Sequence, residues 1–415
     1  MQATPINWKK RTILFLISQA ITVLGSSVVQ MAIVWYVTLE TSSGAWVSAL
    51  TLCSFLPQML ISFFGGVWAD RYNRKHLIIL VDSVIAATTL LLALAFPLIT
   101  SNNALLAGIL VISIIRSLGA GVQSPAVSAM IPQLVPEEHL MRFNGINASV
   151  QSTIQFTSPA IAAAILSLGA LRNVLFLDVA TAVAGIGLLI AIAIPKHTMD
   201  AAAAQTPFFV EMKAGITYAF TDRLIGRLVL VFGAFIFLSV PSGFLAALLI
   251  SRTFGESYLY LSIVEMTGFI GMTLGGLVIG AWGGFKNRLS TLTLGMAAYA
   301  GFSILIGLLS NFVLFTISMF FISFAIPLVQ AAVTTLLQEN TPADLQGRVF
   351  GLLNIAYSGF LPLGMAVFGP AADRVSVQTL IIIAGLVLCM FAMWIFARSR
   401  KENTLEQQSA TLEKK

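Results

Sequence analysis

Twelve long apolar runs, separated by short polar breaks, organise this chain almost from end to end. They lie near 12–39, 44–69, 77–99, 105–128, 142–168, 172–195, 224–251, 257–281, 290–309, 312–335, 348–371 and 377–397. A helix needs about 20 predominantly apolar residues to cross the hydrocarbon of a bilayer. The pattern therefore predicts an all-α polytopic membrane protein with twelve transmembrane helices. Lys9, Lys10 and Arg11 precede the first run, which is too long for the apolar core of a secretory signal and reads as the first helix.

Within these runs a few polar residues recur at helical spacing. Gln19, Thr22, Ser26 and Gln30 fall three, four and four apart on the first helix, so they share one face. Asn144, Asn147, Gln151, Gln155 and Ser158 repeat that spacing on the fifth. Such stripes can join helices to one another, but amide-rich stripes three turns long suit a hydrated cavity lined by Gln19, Thr22, Ser26, Gln30, Asn147, Gln151 and Gln155. Their neutral chemistry fits a large, apolar or weakly basic substrate better than a sugar phosphate.

Composition agrees with the pattern: 58% of the 415 residues are hydrophobic and 10% charged, outside the range of soluble domains. Placing the N-terminus in the cytoplasm puts 19 of the 23 lysines and arginines on the cytoplasmic side, with Arg172, Arg252 and Arg374 outside and Arg116 inside a helix. Basic residues in short loops favour the cytoplasm, so both termini are expected there. The positive charge reflects topology, and a nucleic-acid partner gains no support from it. Cys53 and Cys389 lie in apolar runs and the three histidines beside cytoplasmic loops, so neither a disulfide framework nor a metal site is expected.

Charges within apolar runs are the most informative residues, because each is costly in hydrocarbon and persists for a reason. Glu265 stands eight residues into the eighth run, about 12 Å deep at 1.5 Å per residue. That depth suits a carboxyl that binds and releases a proton or attracts substrate; a structural carboxyl is the alternative. Arg116, in the middle of the fourth run, stays charged and can stabilise a carboxylate or an anionic group. Gly119 and Gly121 beside it permit close helix approach. Asp82 stands near the start of the third run, within reach of the basic loop before it, and Asp178 near the outer end of the sixth. Both read as structural first and functional second.

An internal repeat appears at an offset of 206 residues: PEEHLMRFNG, Pro136 to Gly145, matches PADLQGRVFG, Pro342 to Gly351. Each copy occupies the loop between the fourth and fifth helix of its half. Proline starts the turn and the acids favour the next helix's N-terminus. Two parallel six-helix halves are therefore expected: an N-terminal bundle over 1–195, a cytoplasmic linker over 196–222, a C-terminal bundle over 223–397 and a cytoplasmic tail over 398–415.

Between the second and third helices stands GVWADRYNRK, Gly66 to Lys75. It resembles the major facilitator signature G-x-L-A-D-R-x-G-R-R/K, departing at Trp68 and at Asn73, where asparagine is expected to keep a left-handed turn. Ser158-Pro159 through Ala163 resembles the G-P-x-x-G-G antiporter motif with serine and alanine for glycine, and its proline is expected to kink the fifth helix. More narrowly, NWKK at Asn7, QMAI at Gln30, FLP at Phe55, DRYNRK at Asp70, LVPEEHL at Leu134 and GRVF at Gly347 resemble bacterial macrolide-efflux proteins of the drug:proton antiporter-3 group.

That resemblance implies the major facilitator fold with a substrate site near the midplane between the halves. It also implies proton-coupled efflux of hydrophobic or amphipathic drugs such as macrolides across the bacterial plasma membrane. Gly66, Asp70, Arg71, Arg74 and Lys75 would then form a gating motif, with Asp70 latching one state. The expected energy source is the proton gradient, with no cofactor. The partners implied are a small hydrophobic molecule, the lipid bilayer and an ATP-binding cassette resistance protein, around a monomer. An exporter of tetracyclines or siderophores, or a nutrient importer, remains the alternative. No GxxxxGK[ST] loop is present for direct ATP drive, and no nucleophile with its base points to an enzyme.

Overall fold

The computed structural model describes residues 8–136, 139–169, 171–192, 223–341 and 343–412. Their regular structure is helical: α1 Trp8–Thr41, α2 Gly44–Arg71, α3 Arg74–Ala95, α4 Asn102–Leu134, α5 Leu140–Leu168, α6 Leu171–Ala191, α7 Arg223–Gly243, α8 Ala246–Phe254, α9 Tyr258–Trp282, α10 Arg288–Leu308, α11 Phe312–Asn340, α12 Ala343–Ala371 and α13 Val377–Leu412. Ten segments among the described residues are long and apolar enough to cross a membrane, α7 and α8 together making one of them. The expected linker, 196–222, lies outside the described residues. α13 stays helical beyond 397, to Leu412.

The chain divides into two compact units. The first takes in α1, α2 from Trp46 onward, α3 to α6 and the stretch Ser257–Ser262; the second takes in Ser43–Ala45, α7, α8, the rest of α9 and α10 to α13. In the first, α1 packs on α5 and α6, and α3 on α4 and α6. In the second, α7 packs on α12 and α13, and α10 on α11 and α13. The internal order is thus the same in each.

The helix bounds keep the sequence register as well. α6 begins at Leu171 and α13 at Val377, and α4 ends at Leu134 where α11 ends at Asn340, both at the 206-residue offset of the loop repeat. α3 and α10 align by their caps instead, Asn73-Arg74 and Asn287-Arg288.

Those caps correct one expectation. Asn73 is extended, at φ −65° and ψ 111°, and its side-chain oxygen accepts from the Lys75 and His76 N–H groups at 3.0 and 3.4 Å. It is an N-cap, satisfying donors that an α-helix start leaves without partners. The chain passes directly from the end of α2 into α3, so no left-handed residue is needed.

Two helices are interrupted. The apolar run predicted as continuous over 224–251 breaks between α7 and α8, because Pro241 lacks the N–H of a helix interior and Gly243 is a poor helix former. α2 stays helical through Pro57, but its next hydrogen bond is opened. The Gln58 N–H donates to Ser117 Oγ at 2.8 Å, and Ser117 Oγ donates to the Ser54 carbonyl at 2.7 Å. A hydroxyl from α4 is thereby spliced between a donor and the acceptor four residues before it, a recognised cause of bending.

α5 runs unbroken through Pro159. Ser158, buried, donates to the Ile154 carbonyl at 2.7 Å, and Ala162 and Ala163 beyond it are buried.

Candidate functional site

The interior of the first unit holds a charged cluster built from four helices. Arg116 comes from the middle of α4, Asp178 from α6, Thr89 and Asp82 from α3, and a backbone carbonyl from α1. Arg116 is 7% exposed, Asp82 4% and Asp178 2%. One guanidinium nitrogen of Arg116 donates to Asp178 Oδ2 and to Thr89 Oγ at 3.4 Å, and the other to the Ser26 carbonyl at 3.3 Å. Asp82 Oδ1 accepts from Gln123 Nε2 at 2.7 Å.

The geometry follows from antiparallel packing. Asp82 and Thr89 lie seven residues apart on α3, and Gln123 and Arg116 seven apart on α4. Two turns rise about 10 Å, so the pairs Asp82–Gln123 and Thr89–Arg116 form two rungs on one helix interface. Between the rungs, a Cβ on Gly119 would meet Ile85 Cδ1 at 2.6 Å and Val81 Cγ1 at 3.0 Å. Gly121 faces a different neighbour, where a Cβ would lie 2.7 Å from the Gln58 carbonyl oxygen of α2. The two glycines beside Arg116 thus admit α3 and α2 respectively.

The structure brings Arg116 together with Asp178, an acid that sequence reasoning ranked as structural and shallow. The signal was present, since an acid in the second turn of an apolar helix calls for a partner. Asp82 is turned toward Gln123, and the basic loop that its sequence position suggested is engaged elsewhere.

In that loop, Arg74 donates to the Ala69 carbonyl at 2.9 Å and to the Ala129 carbonyl at 2.7 Å. Lys75 Nζ donates to the carbonyls of Ile190 and Ile192 at 2.8 and 2.7 Å. The last carbonyls of a helix lack intrahelical partners and carry partial negative charge, so these cations cap the ends of α2 and α6, and Arg74 ties the end of α2 to the body of α4. Arg71 is exposed. The Asp70 side chain and the surroundings of Gly66 lie outside the described residues.

On α1, Gln19 and Thr22 are each 6% exposed. Thr22 packs against Gly185 of α6, and neighbouring Ser18 donates to the Gly185 carbonyl at 2.8 Å. Gln30 donates to Ser54 Oγ of α2 at 3.2 Å. Among the described residues Gln19 Nε2 has no hydrogen-bond partner. On α5, Asn147 and Gln151 are half-buried and Gln155 is exposed. None of the three makes a hydrogen bond among the described residues, so these amides are available to a ligand.

In the second unit Glu265 is exposed on α9, a helix of membrane length. The glycines Gly268, Gly271 and Gly275 of that helix face Ser323, Phe320 and Phe324 of α11. The interior has a neutral polar anchor, Tyr299 of α10, whose hydroxyl lies 2.9 Å from Ser242 Oγ and donates to the Ser239 carbonyl at 3.3 Å.

Asp373 belongs to a second G-x-x-x-D-R stretch. It receives the Gly44 and Ala45 N–H groups at 2.6 and 2.9 Å, the Ser43 hydroxyl at 2.8 Å and Arg252 at 3.2 Å. Burial alone would raise its carboxyl, but the Ala45 N–H, Ser43, the Gly44 N–H and Arg252 together hold it below the usual carboxylate range. It sits at the N-terminal end of α2, opposite the end that carries Asp70. Among the described residues no group of histidine, cysteine, aspartate and glutamate is arranged to hold a metal.

Residues 15–365 match the family model described as the Major Facilitator Superfamily. Macrolide efflux protein A of Streptococcus pyogenes is 30% identical over 389 residues, covering 92% of this chain and 95% of that one. Macrolide efflux protein A of Enterococcus faecalis is 30% identical over 325 residues, 77% of this chain and 99% of that one. Among solved structures, a variant of the nucleoside transporter NupG superposes with a TM-score of 0.75 at 14% identity, over 93% of this chain and all of that one.

Proposed function

The chain belongs to the Major Facilitator Superfamily, and from that premise we propose that it exports hydrophobic or amphipathic drugs, macrolides first, from the bacterial cytoplasm in exchange for protons. It is a multi-pass bacterial membrane protein and a transporter rather than an enzyme. Counting α5 and α12 with the ten apolar spans gives twelve crossings with both termini in the cytoplasm. The observation that carries the macrolide reading is the 30% identity, sustained over nearly the whole length, to relatives named for macrolide efflux.

Proton coupling rests on Glu265. A carboxyl exposed on a helix of membrane length is too costly to face lipid, so it calls for a hydrated path on which it can take up and release a proton or attract a basic drug. The amides of α5 that have no partner among the described residues supply neutral recognition groups for a drug. Alternating access would carry the bound drug across.

The test is expression in a macrolide-sensitive bacterium, with tolerance and accumulation of a radiolabelled macrolide measured with and without a protonophore. Export that lowers accumulation and collapses with the protonophore is expected, together with its loss in Glu265→Gln at unchanged protein level. Unchanged tolerance and accumulation would overturn the macrolide reading, and normal gradient-driven export by the variant would overturn the role of Glu265.

A further inference from the structure

The duplication supplies an internal control for the charged cluster. At the 206-residue offset shared by α4 and α11 and by α6 and α13, Arg116 corresponds to Ile322, Gln123 to Val329 and Asp178 to Ala384. Counting from the Asn73 and Asn287 caps, Asp82 corresponds to Met296 and Thr89 to Ser303. Ile322, Val329, Ala384 and Met296 are all buried, at 3% exposure or less. The second unit therefore builds the same helix interfaces from apolar side chains. Packing does not require charge at these positions, and a buried ion pair is weak evidence for stability where an apolar replacement fits.

The cluster is also unbalanced. It holds two carboxyl groups and one guanidinium, and Arg116 is committed to Asp178, with further hydrogen bonds to Thr89 and the Ser26 carbonyl. Asp82 is left with a neutral amide as its partner, while Asp178 and Arg116 lie within electrostatic reach of it. Those two are the charged groups facing it from α4 and α6. The polar groups that α1 contributes to this interior, Gln19, Thr22 and Ser26, are neutral, and Lys75 at the start of α3 is bound to the end of α6. One proton on the pair of acids makes the interior neutral, and none leaves a net negative charge at 4% exposure.

We propose that Asp82 is a proton-binding site of the transport cycle, protonated while Arg116 is paired with Asp178, and that Asp178 is a positioning residue which keeps Arg116 from neutralising it. The proton bound to the Asp82 carboxyl leaves to water. The carboxylate that remains favours any arrangement of α3, α4 and α6 that hydrates it or draws Arg116 across from Asp178. Proton release is in this way tied to a rearrangement of the first unit, independently of Glu265. The site deepens the reading of proton-coupled export and rests on it for its role in the cycle.

Infrared difference spectra of the purified protein in lipid, recorded between low and high pH without any drug, test the site directly. The carbonyl stretch of protonated carboxyl groups should vanish as pH rises, and one component of it should be absent in Asp82→Asn and persist in Glu265→Gln. A band unchanged in Asp82→Asn overturns the proposal. A second variant carries the other unit's residues at once, D82M/R116I/Q123V/D178A. It should unfold within a few degrees of the parent, lack the same component of the titrating band and leave macrolide accumulation at the level of cells without the transporter. Gradient-driven export at the parent's rate by this variant also overturns the proposal. A titrating Asp82 band in a parent protein that exports no macrolide would remove the export reading and leave the proton site standing.

Discussion

At matched positions the two bundles make opposite choices. Arg116, Asp178 and Asp82 fill the interior of the first with charge, where Ile322, Ala384 and Met296 fill that of the second with hydrocarbon. Thr89 receives Arg116, whereas its counterpart Ser303 is buried with no hydrogen-bond partner among the described residues. The second bundle places its polar anchor elsewhere, at Tyr299 and Ser242, and leaves Glu265, eight residues into an apolar helix, exposed. One backbone plan thus tolerates either interior. The helix order is set by small residues and apolar faces, and the charge in the first bundle is an addition to it.

The sharpest way to break this comparison is to import one apolar residue without its companion. Arg116→Ile alone leaves Asp178 buried without its counter-ion and should cost about 3–5 kcal/mol, read as a fall in the unfolding temperature of the purified protein. Adding D178A should recover most of that loss. Equal stability of the single and double variants would show that the pair is not coupled.

A smaller effect is expected at the splice in α2. Ser117→Ala removes the hydroxyl that bridges the Gln58 N–H and the Ser54 carbonyl and should cost about 1–3 kcal/mol, the penalty for buried backbone groups left without partners. Hydrogen exchange at the Gln58 amide should rise in step. An unchanged exchange rate would mean that α2 closes its own ladder once the hydroxyl is gone.

Thr89→Val and Ser303→Ala make a matched pair. The first removes a hydrogen bond to Arg116 and should cost about 1 kcal/mol. The second removes a hydroxyl without a partner and should change stability by less than about 0.5 kcal/mol or raise it. Chemical denaturation of both variants checks the contrast, which fails if the two losses are alike.

The mildest effect concerns Asp373. Because its folded carboxyl is held below the ordinary value, its contribution to stability is present above the unfolded value of about 3.9 and disappears as pH falls through the lower folded value. Asp373→Asn should therefore lower stability near neutral pH slightly and flatten the decline in acid. Parallel pH profiles for the two proteins would assign the contacts of Ser43, Gly44 and Ala45 no weight.

Much of the fold was legible because helices report themselves through local pattern. Apolar runs of membrane length, the loop repeat at 206 residues and the basic stretch after α2 are visible one segment at a time. The two glycines beside Arg116 were also readable as points of close approach, though not which helix each would admit. Asn73 was misread, because an asparagine in a short break can serve a left-handed turn or an N-cap, and only the path of the chain from α2 into α3 distinguishes them.

What the sequence by itself determined was membrane residence, the duplicated plan and the existence of costly charges inside apolar helices, since each follows from composition and period along a single segment. Tertiary structure alone decided the partners. Whether Arg116 meets Asp178 or Asp82, whether Lys75 points to lipid headgroups or to the end of α6, and whether Ser117 enters the ladder of α2 depend on which helices touch and at what register. A hydrogen bond or an ion pair forms over about 3 Å, and a helix turn of 5.4 Å is enough to exchange one partner for another.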